Sequence, residues 1–326
     1  MFAVYPFPVY TLSGARWREH TPRLPQTTGS DERGPAGERP AEVDVEAIRR
    51  TLRRPAEKPT EPIRSLRDLP RPVVPAPVYV PSHEHVVLEE AVDGAAVQVP
   101  QRGEAYLITR ALNDLEDNFT PVREEFHRAM TEDGGLQGRI ARTCARADWA
   151  PEDLVFVDLE TTGLGHSPLF LIGAMTWEDD ELVVRQYLAR HYGEESAVTQ
   201  LFLEDARGKR LLISFNGKSF DYPYLRARAA ANAVPWSLKI DHFDLLHECR
   251  RAWRHKLPNC RLQTLEQCIC GRPPRHGDIP GAHIPDAYHD FVRTANAAEL
   301  VRIIRHNMLD LITLAELLSR LPPIEG

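Results

Sequence analysis

Residues Leu154–Gly163 read LVFVDLETTG, an apolar run rich in β-branched residues that stops at two carboxylates one residue apart, Asp158 and Glu160. The run has the length and composition of a buried strand. Side chains two positions apart on a strand share a face, so both acids leave the end of a buried element in the same direction. Two like charges placed that way are costly unless they reach solvent or a cation sits between them. Hard ions such as Mg²⁺ or Mn²⁺ take carboxylate oxygens, and two of them about 4 Å apart can clamp the attacking and leaving oxygens of a phosphodiester. Asp-x-Glu before a turn is also common by chance, so the reading depends on where the other acids fall.

Downstream of this stretch the pattern alternates between strand and helix. Leu169 to Trp177 is a second apolar β-prone run, the acidic turn 178–181 follows, and Leu182 to Ala189 returns, which predicts a three-strand meander. Glu194 to Ala206 has helical spacing, Arg210 to Phe215 is a fourth strand, and Asn216 to Ala231 turns into a helix with Pro223 in its first turn. Lys239 to Leu245 is a short fifth strand and Leu262 to Cys270 a short helix. A Pro- and Gly-rich loop over 271–285 precedes a strongly amphipathic helix from Ala297 to Leu321. The prediction is an α/β fold with a mixed sheet flanked by helices.

Two more acids lie at positions where such a fold gathers loops and helix faces. Asp221 opens the helix after strand four, where a capping role would serve equally well. Asp310 is harder to account for, because it sits mid-helix among apolar residues that face the core. His306 lies one turn earlier on the same face and could accept a proton there; alone it reads as readily as a surface histidine paired with Asp310. Asp244, with His242 or His247, could complete a site or hold it in shape, and Asp278 sits in a loop that could cover it. Arg250, Arg251, Arg254 and Lys256, with Arg272 and Arg275 further on, are candidates for phosphate contact, and Trp253 for base stacking. A solvated helix face would explain the same charges.

The amino-terminal part differs in kind. Residues 1–82 hold about half of the 27 prolines, mixed with Arg, Glu and Thr and without a hydrophobic period, so a disordered or extended tail is expected. Within it a short helix at 43–52 and an extended segment at 73–80 are the only candidate elements. Residues 83–150 read as a small accessory β/α region, with a hairpin within 83–100, a strand at 105–109 and mostly helix from Leu112 to Cys144. The domain of interest is then 151–326. With 40 basic and 47 acidic residues the chain carries a formal charge of −7, which argues against a protein coated in nucleic acid by bulk electrostatics and leaves that work to local patches. The five cysteines form no Cys-x-x-Cys pair and match no metal-ligand spacing, which suits a reducing cytoplasm. No apolar run approaches the roughly 20 residues of a membrane span, and no membrane association is expected.

Three stretches in order, VFVDLETTG (155–163), SFNGKSFDYPYL (214–225) and HNMLDLITL (306–314), resemble the three exonuclease motifs of the DEDD superfamily, which has a ribonuclease H-like fold. HFDLLHECRRAW (242–253), LQTLE (262–266) and GDIPG (277–281) are similar to its YprB-like branch. The resemblance covers about residues 154–321. It implies that Asp158, Glu160, Asp221 and Asp310 hold two Mg²⁺ or Mn²⁺ ions, with Asn216, Asp244 and Asn307 around them, and that Thr161, Arg251, Trp253, Arg254 and Lys256 meet nucleic acid. Members of the superfamily place a catalytic base as tyrosine four residues before the last aspartate or as histidine five before it. Here His306 is a histidine at the tyrosine spacing, with Arg305 at the other position, so the family pattern does not name the base.

The expected activity is hydrolysis of nucleic acid from a 3′ end by a two-metal mechanism, with His306 positioning or deprotonating water. A catalytically weak module that binds nucleic acid or protein is the first alternative, and the proline-rich tail would favour a protein partner. A structure-specific endonuclease is the second. Several polar groups can read a 2′-hydroxyl, so the motifs suit DNA and RNA alike.

Overall fold

The computed structural model describes residues 79–323, apart from 133, 145, 147 and 164. The expectations for the tail up to residue 78 lie outside the described residues. After one helical turn, α1 (Leu88–Ala91), the chain forms β1 (Ala95–Val99), β2 (Gly103–Ala111), α2 (Thr120–Thr131) and α3 (Gly134–Thr143). The meander is β3 (Leu154–Thr161), β4 (Leu169–Glu178) and β5 (Glu181–Leu188). Then come α4 (Glu195–Asp205), β6 (Leu211–Ser214), α5 (Asp221–Ala231), β7 (Asp241–Asp244) and α6 (Leu245–Trp253). The chain closes with α7 (Leu262–Leu265), running into a π turn (Glu266–Cys270), α8 (Ile284–Thr294) and α9 (Ala298–Ser319).

All seven strands form one sheet in the order β1-β2-β5-β4-β3-β6-β7. The meander and the β1–β2 hairpin pair antiparallel, whereas β3, β6 and β7 run parallel. This is the α/β, ribonuclease H-like mixed sheet expected from the meander followed by alternating helices and strands. The strands of the 83–150 region are the outer two of this same sheet, with β2 paired to β5 from Tyr106–Leu188 to Ala111–Val183.

The hairpin itself falls later than expected. Leu88 and Val92 are both buried, and a spacing of four suits a helical turn rather than a strand. The strands turn instead through 100–102, with Gln101 at φ 65 and Gly103 at φ 94, where a glycine closes the bend without strain. Helix α8 takes up the stretch between the expected loop and the closing helix and starts at the loop's last two residues, with Pro285 in its first turn, where proline starts a helix readily.

Burial explains why β3 reads as a continuous apolar run. Val155, Val157 and Leu159 face a core shared with α4, α5 and α8. Leu154 and Phe156 face a second core with α2, α6 and the middle of α9. A strand covered on both faces has no solvated side on which to carry polar residues. Among the described residues no helix is long and apolar enough to cross a membrane.

Candidate active site

Along β3 the face that buries Leu154 and Phe156 continues through Asp158 and Glu160. The parallel pairing with β6 covers only Leu154 to Phe156, so the two acids lie beyond the carboxyl end of that pairing. Carboxyl ends of parallel strands are where open α/β sheets gather their sites. Glu160 is 9% exposed and adjoins a register shift at Glu160/Thr161, which re-aims the strand end.

Asp221 arrives from β6 through a tight turn. Asn216 takes a left-handed φ of 68, a conformation asparagine tolerates better than most residues. A Cβ on Gly217 would lie 2.2 Å from Ser214 Oγ and 2.9 Å from Asp221 Oδ2, so only glycine lets the turn close on both. Asp244 clamps this turn, accepting from the amides of Asn216 at 2.8 Å and Lys218 at 3.1 Å while capping α6 through Leu246 at 3.0 Å. With both its oxygens taken by amides, Asp244 holds the site in shape. Its neighbour His242 has Nε2 2.7 Å from Ser214 Oγ, and burial pushes the ring down to about 4. His247 Nε2 stands 3.9 Å from Asp244.

Helix α9 brings the third group of residues. Fully buried Asn307 donates from Nδ2 to Asp158 Oδ2 at 2.8 Å and to the Asp158 carbonyl at 3.2 Å, while its Oδ1 accepts from Gln186 Nε2 at 2.8 Å. Gln186 also donates to the Ile304 carbonyl at 2.8 Å. Gly173 lies opposite Asp158 in β4, and a Cβ there would sit 2.1 Å from Asn307 Oδ1. Gly173 and Gln186 escaped the sequence reading. The available signal was a lone glycine inside LFLIGAMTW, which marks a close approach in a strand. His306 is held at Nδ1 by Asp278 Oδ1 at 2.8 Å, and its Nε2 lies 3.5 Å from Asp310 Oδ2.

The four acids share one electrostatic environment. Burial, then the charges of Asp310, Glu160 and Asp221, hold Asp158 well above the usual carboxylate range. Burial and then Asp310, Asp221 and Asp278 do the same to Glu160. Burial lifts Asp221 to about 7, with Asp244 adding to the effect and the amides of Asp221 and Leu159 opposing it. Burial disfavours a charged His306, but the bond to Asp278 and the charge of Asp310 outweigh it and raise the ring's pKa.

Among the described residues one arginine stands among these acids. Arg275, from the loop after the π turn, places Nη2 2.6 Å from Asp310 Oδ1. Among the described residues no three acids, histidines or cysteines are gathered at metal-ligand distance. The donor set nevertheless suits a hard divalent ion: its oxygens are carboxylates, and Asp310 Oδ1 is buried with no hydrogen bond.

The expected nucleic-acid contacts are dispersed. Trp253 is buried in the core under α6 at 7% exposure, so it is not available for stacking: the helix's apolar side needed it. Arg251 is exposed and paired with Glu248 at 2.5 Å, Arg254 donates to His255 at 2.9 Å, and Lys256 is exposed. Thr161 donates to the Gly163 carbonyl at 2.8 Å, shaping the turn beyond β3. Arg272, a candidate phosphate contact by sequence, is tied instead to Glu266 at 3.1 Å and to Glu316.

The chain is 33% identical over 186 residues to the uncharacterized protein YprB of Bacillus subtilis (strain 168), an alignment covering 56% of this chain and 45% of YprB. It thus spans less than half the length of that relative. A family B DNA polymerase from the hyperthermophilic archaeon Pyrobaculum calidifontis superposes with a TM-score of 0.41 and 18% identity, over 50% of this chain and 24% of the polymerase. The RNase_H superfamily profile RNase_H_2 matches residues 155–321, which span β3 to the end of α9 and include all four acids. With just over half its length matched in this way, the chain belongs to the RNase_H superfamily.

Proposed function

We propose that this protein is a divalent-metal-dependent nuclease of the DEDD type that removes nucleotides from the 3′ end of a nucleic acid. The observation that carries the reading is the excess of negative charge at the exit of β3: Asp158 and Glu160 are driven toward the protonated form by burial and by the charges of Asp310 and Asp221, and Asp221 by burial and Asp244. Such a cluster is a poor way to stabilise a fold and a good way to hold cations. Superfamily membership supports a nuclease-like activity on nucleic acid.

Asp158, Glu160, Asp221 and Asp310 would hold two Mg²⁺ or Mn²⁺ ions. Bound there, the ions supply charge neutralisation at the phosphodiester and a more acidic water. The protein's own residues do the rest. Asn307 fixes the Asp158 carboxylate through the Gln186–Asn307 chain, so that it meets its ligand without a rotamer search. Asp278 fixes the His306 ring through Nδ1 and leaves Nε2 beside Asp310, where it can receive the proton of the attacking water. Arg251, Arg254 and Lys256 would meet phosphates by charge alone. All five cysteines are free, which suits the reducing conditions of a cytoplasm.

The test is Mg²⁺ and Mn²⁺ titration of the purified chain against 3′- and 5′-labelled single-stranded DNA and RNA, with Asp158→Asn alongside to exclude a contaminating nuclease. Stepwise release of mononucleotides from the 3′ label, lost in the variant, is expected. Cleavage of a circular substrate, which has no end, would replace the exonuclease with an endonuclease.

A further inference from the structure

Arg275 is hydrogen-bonded at one edge and meets an acid at the other. Its side chain is 5% exposed. Nε donates to Glu266 Oε2 at 2.8 Å, and Nη1 reaches the His306 carbonyl at 3.4 Å. At the far end Nη2 lies 2.6 Å from Asp310 Oδ1, yet neither atom has an aligned hydrogen bond among the described residues. The contact is a point-charge pair, not the two-pronged fork with which arginine locks a carboxylate. Arg272, three residues earlier, shows the contrast: it hydrogen-bonds Glu316, Glu266 and the Thr313 hydroxyl.

Asp310 is also the acid whose charge acts most strongly on both Asp158 and Glu160. A cation on Asp310 therefore relieves the whole cluster. On the reading that these acids are metal ligands, we propose that Arg275 is an internal counter-ion that occupies Asp310 in the metal-free protein and gives it up to the divalent ion. A guanidinium nitrogen 2.6 Å from Oδ1 fills the space that a metal bonded to that oxygen from the same side would need. Two cations on one carboxylate also repel one another. Arg275 thus lets the acid cluster fold without its ions and sets the concentration at which they load. The loop 271–280, which also carries Asp278, is the segment that must move.

Mn²⁺ binding measured by calorimetry on wild type, Arg275→Gln, Arg275→Lys and Asp158→Asn tests this. Arg275→Gln is expected to bind Mn²⁺ about tenfold tighter or more, because a like charge beside the site is gone, with Arg275→Lys in between. In EDTA the glutamine variant melts below wild type, and saturating Mn²⁺ raises its melting temperature by a larger step than it raises that of wild type. Unchanged or weaker Mn²⁺ binding in Arg275→Gln overturns the proposal and makes Arg275 a support for Asp310, with the metal reading intact. Equal failure of wild type and Asp158→Asn to bind overturns both. Should the variants fail to fold, hydrogen exchange of the wild-type loop 271–280 decides: faster exchange with Mn²⁺ is expected, and unchanged or slower exchange refutes the displacement.

Discussion

The two ends of β3 carry acids in opposite circumstances. At its entry Asp153 accepts from Arg210 Nε at 2.6 Å, and across the sheet Glu178 accepts from Arg185 Nη2 at 2.8 Å. Burial pushes both acids up, but their arginines outweigh it, and both are held below the usual carboxylate range. At its exit Asp158 and Glu160 share their surroundings with other acids, and burial and repulsion hold them above that range. Among the described residues Arg275 answers this charge at Asp310, 2.6 Å away, and the charge of His306 opposes the rise at Asp158. Paired acids serve the fold, whereas the unpaired ones are tolerated at its expense for what they can bind.

The sharpest way to break this contrast is to remove one acid from each end. Asp158→Asn should reduce metal-dependent cleavage on the order of 10³-fold, because the lost charge acts at the reacting phosphate. Circular dichroism should show its fold intact. Asp153→Asn should leave cleavage unchanged in the same assay.

A smaller loss follows from disturbing the support of Asp158 rather than the acid. Gly173→Ala drives a methyl into Asn307, whose Oδ1 lies 2.1 Å from the added carbon. Cleavage should fall about 10- to 100-fold. Chemical denaturation should record a cost of about 1–3 kcal/mol. Full activity in this variant would show that Asn307 does not position Asp158.

The two ends should also titrate in opposite directions. Burial lifts Asp221 to about 7 in the folded protein, well above an ordinary aspartate, so its native state holds the extra proton. Stability from that group is complete below the unfolded pKa and is lost as pH rises through about 7. In EDTA the melting temperature should therefore fall between about pH 4 and 7. Asp221→Asn should flatten that fall and melt higher than wild type at neutral pH. For Asp153 and Glu178 the sign reverses: their contribution is present above the unfolded pKa and is lost as pH falls through the folded one.

The smallest effect belongs to the paired end. Arg185→Ala leaves Glu178 with only the Thr176 hydroxyl among its described side-chain partners, but the arginine and glutamate side chains are 26% and 36% exposed, so water replaces much of the interaction. The expected cost is about 1 kcal/mol or less, with Mn²⁺ affinity unchanged.

How much of this was legible in the sequence differs by element. The period-two burial of β3 and the acids at its end could be read directly, because strand geometry assigns faces from spacing alone. Asp310 could be suspected because a charge interrupts the apolar stripe of α9. The β1–β2 hairpin was misplaced because alternation is weak where short strands sit at an edge: Ala95 and Ala96 are exposed, and only Val99 of β1 is buried. Trp253 was assigned to stacking because an aromatic among arginines looks the same in sequence whether it faces solvent or core.

The sequence by itself determined the three-strand meander, the strand that ends in acids, and the spacing of the four carboxylates, all of which rest on local pattern. Only the tertiary structure decided which distant groups answer them. Gln186 reaches Asn307 across 121 residues, Asp278 reaches His306 across 28, and Arg275 meets Asp310 from a loop with no regular period. Such contacts depend on how helix α9 and the loop at 271–280 pack across the sheet. No one-dimensional spacing records that packing, because the free energy that selects it is summed over the whole core.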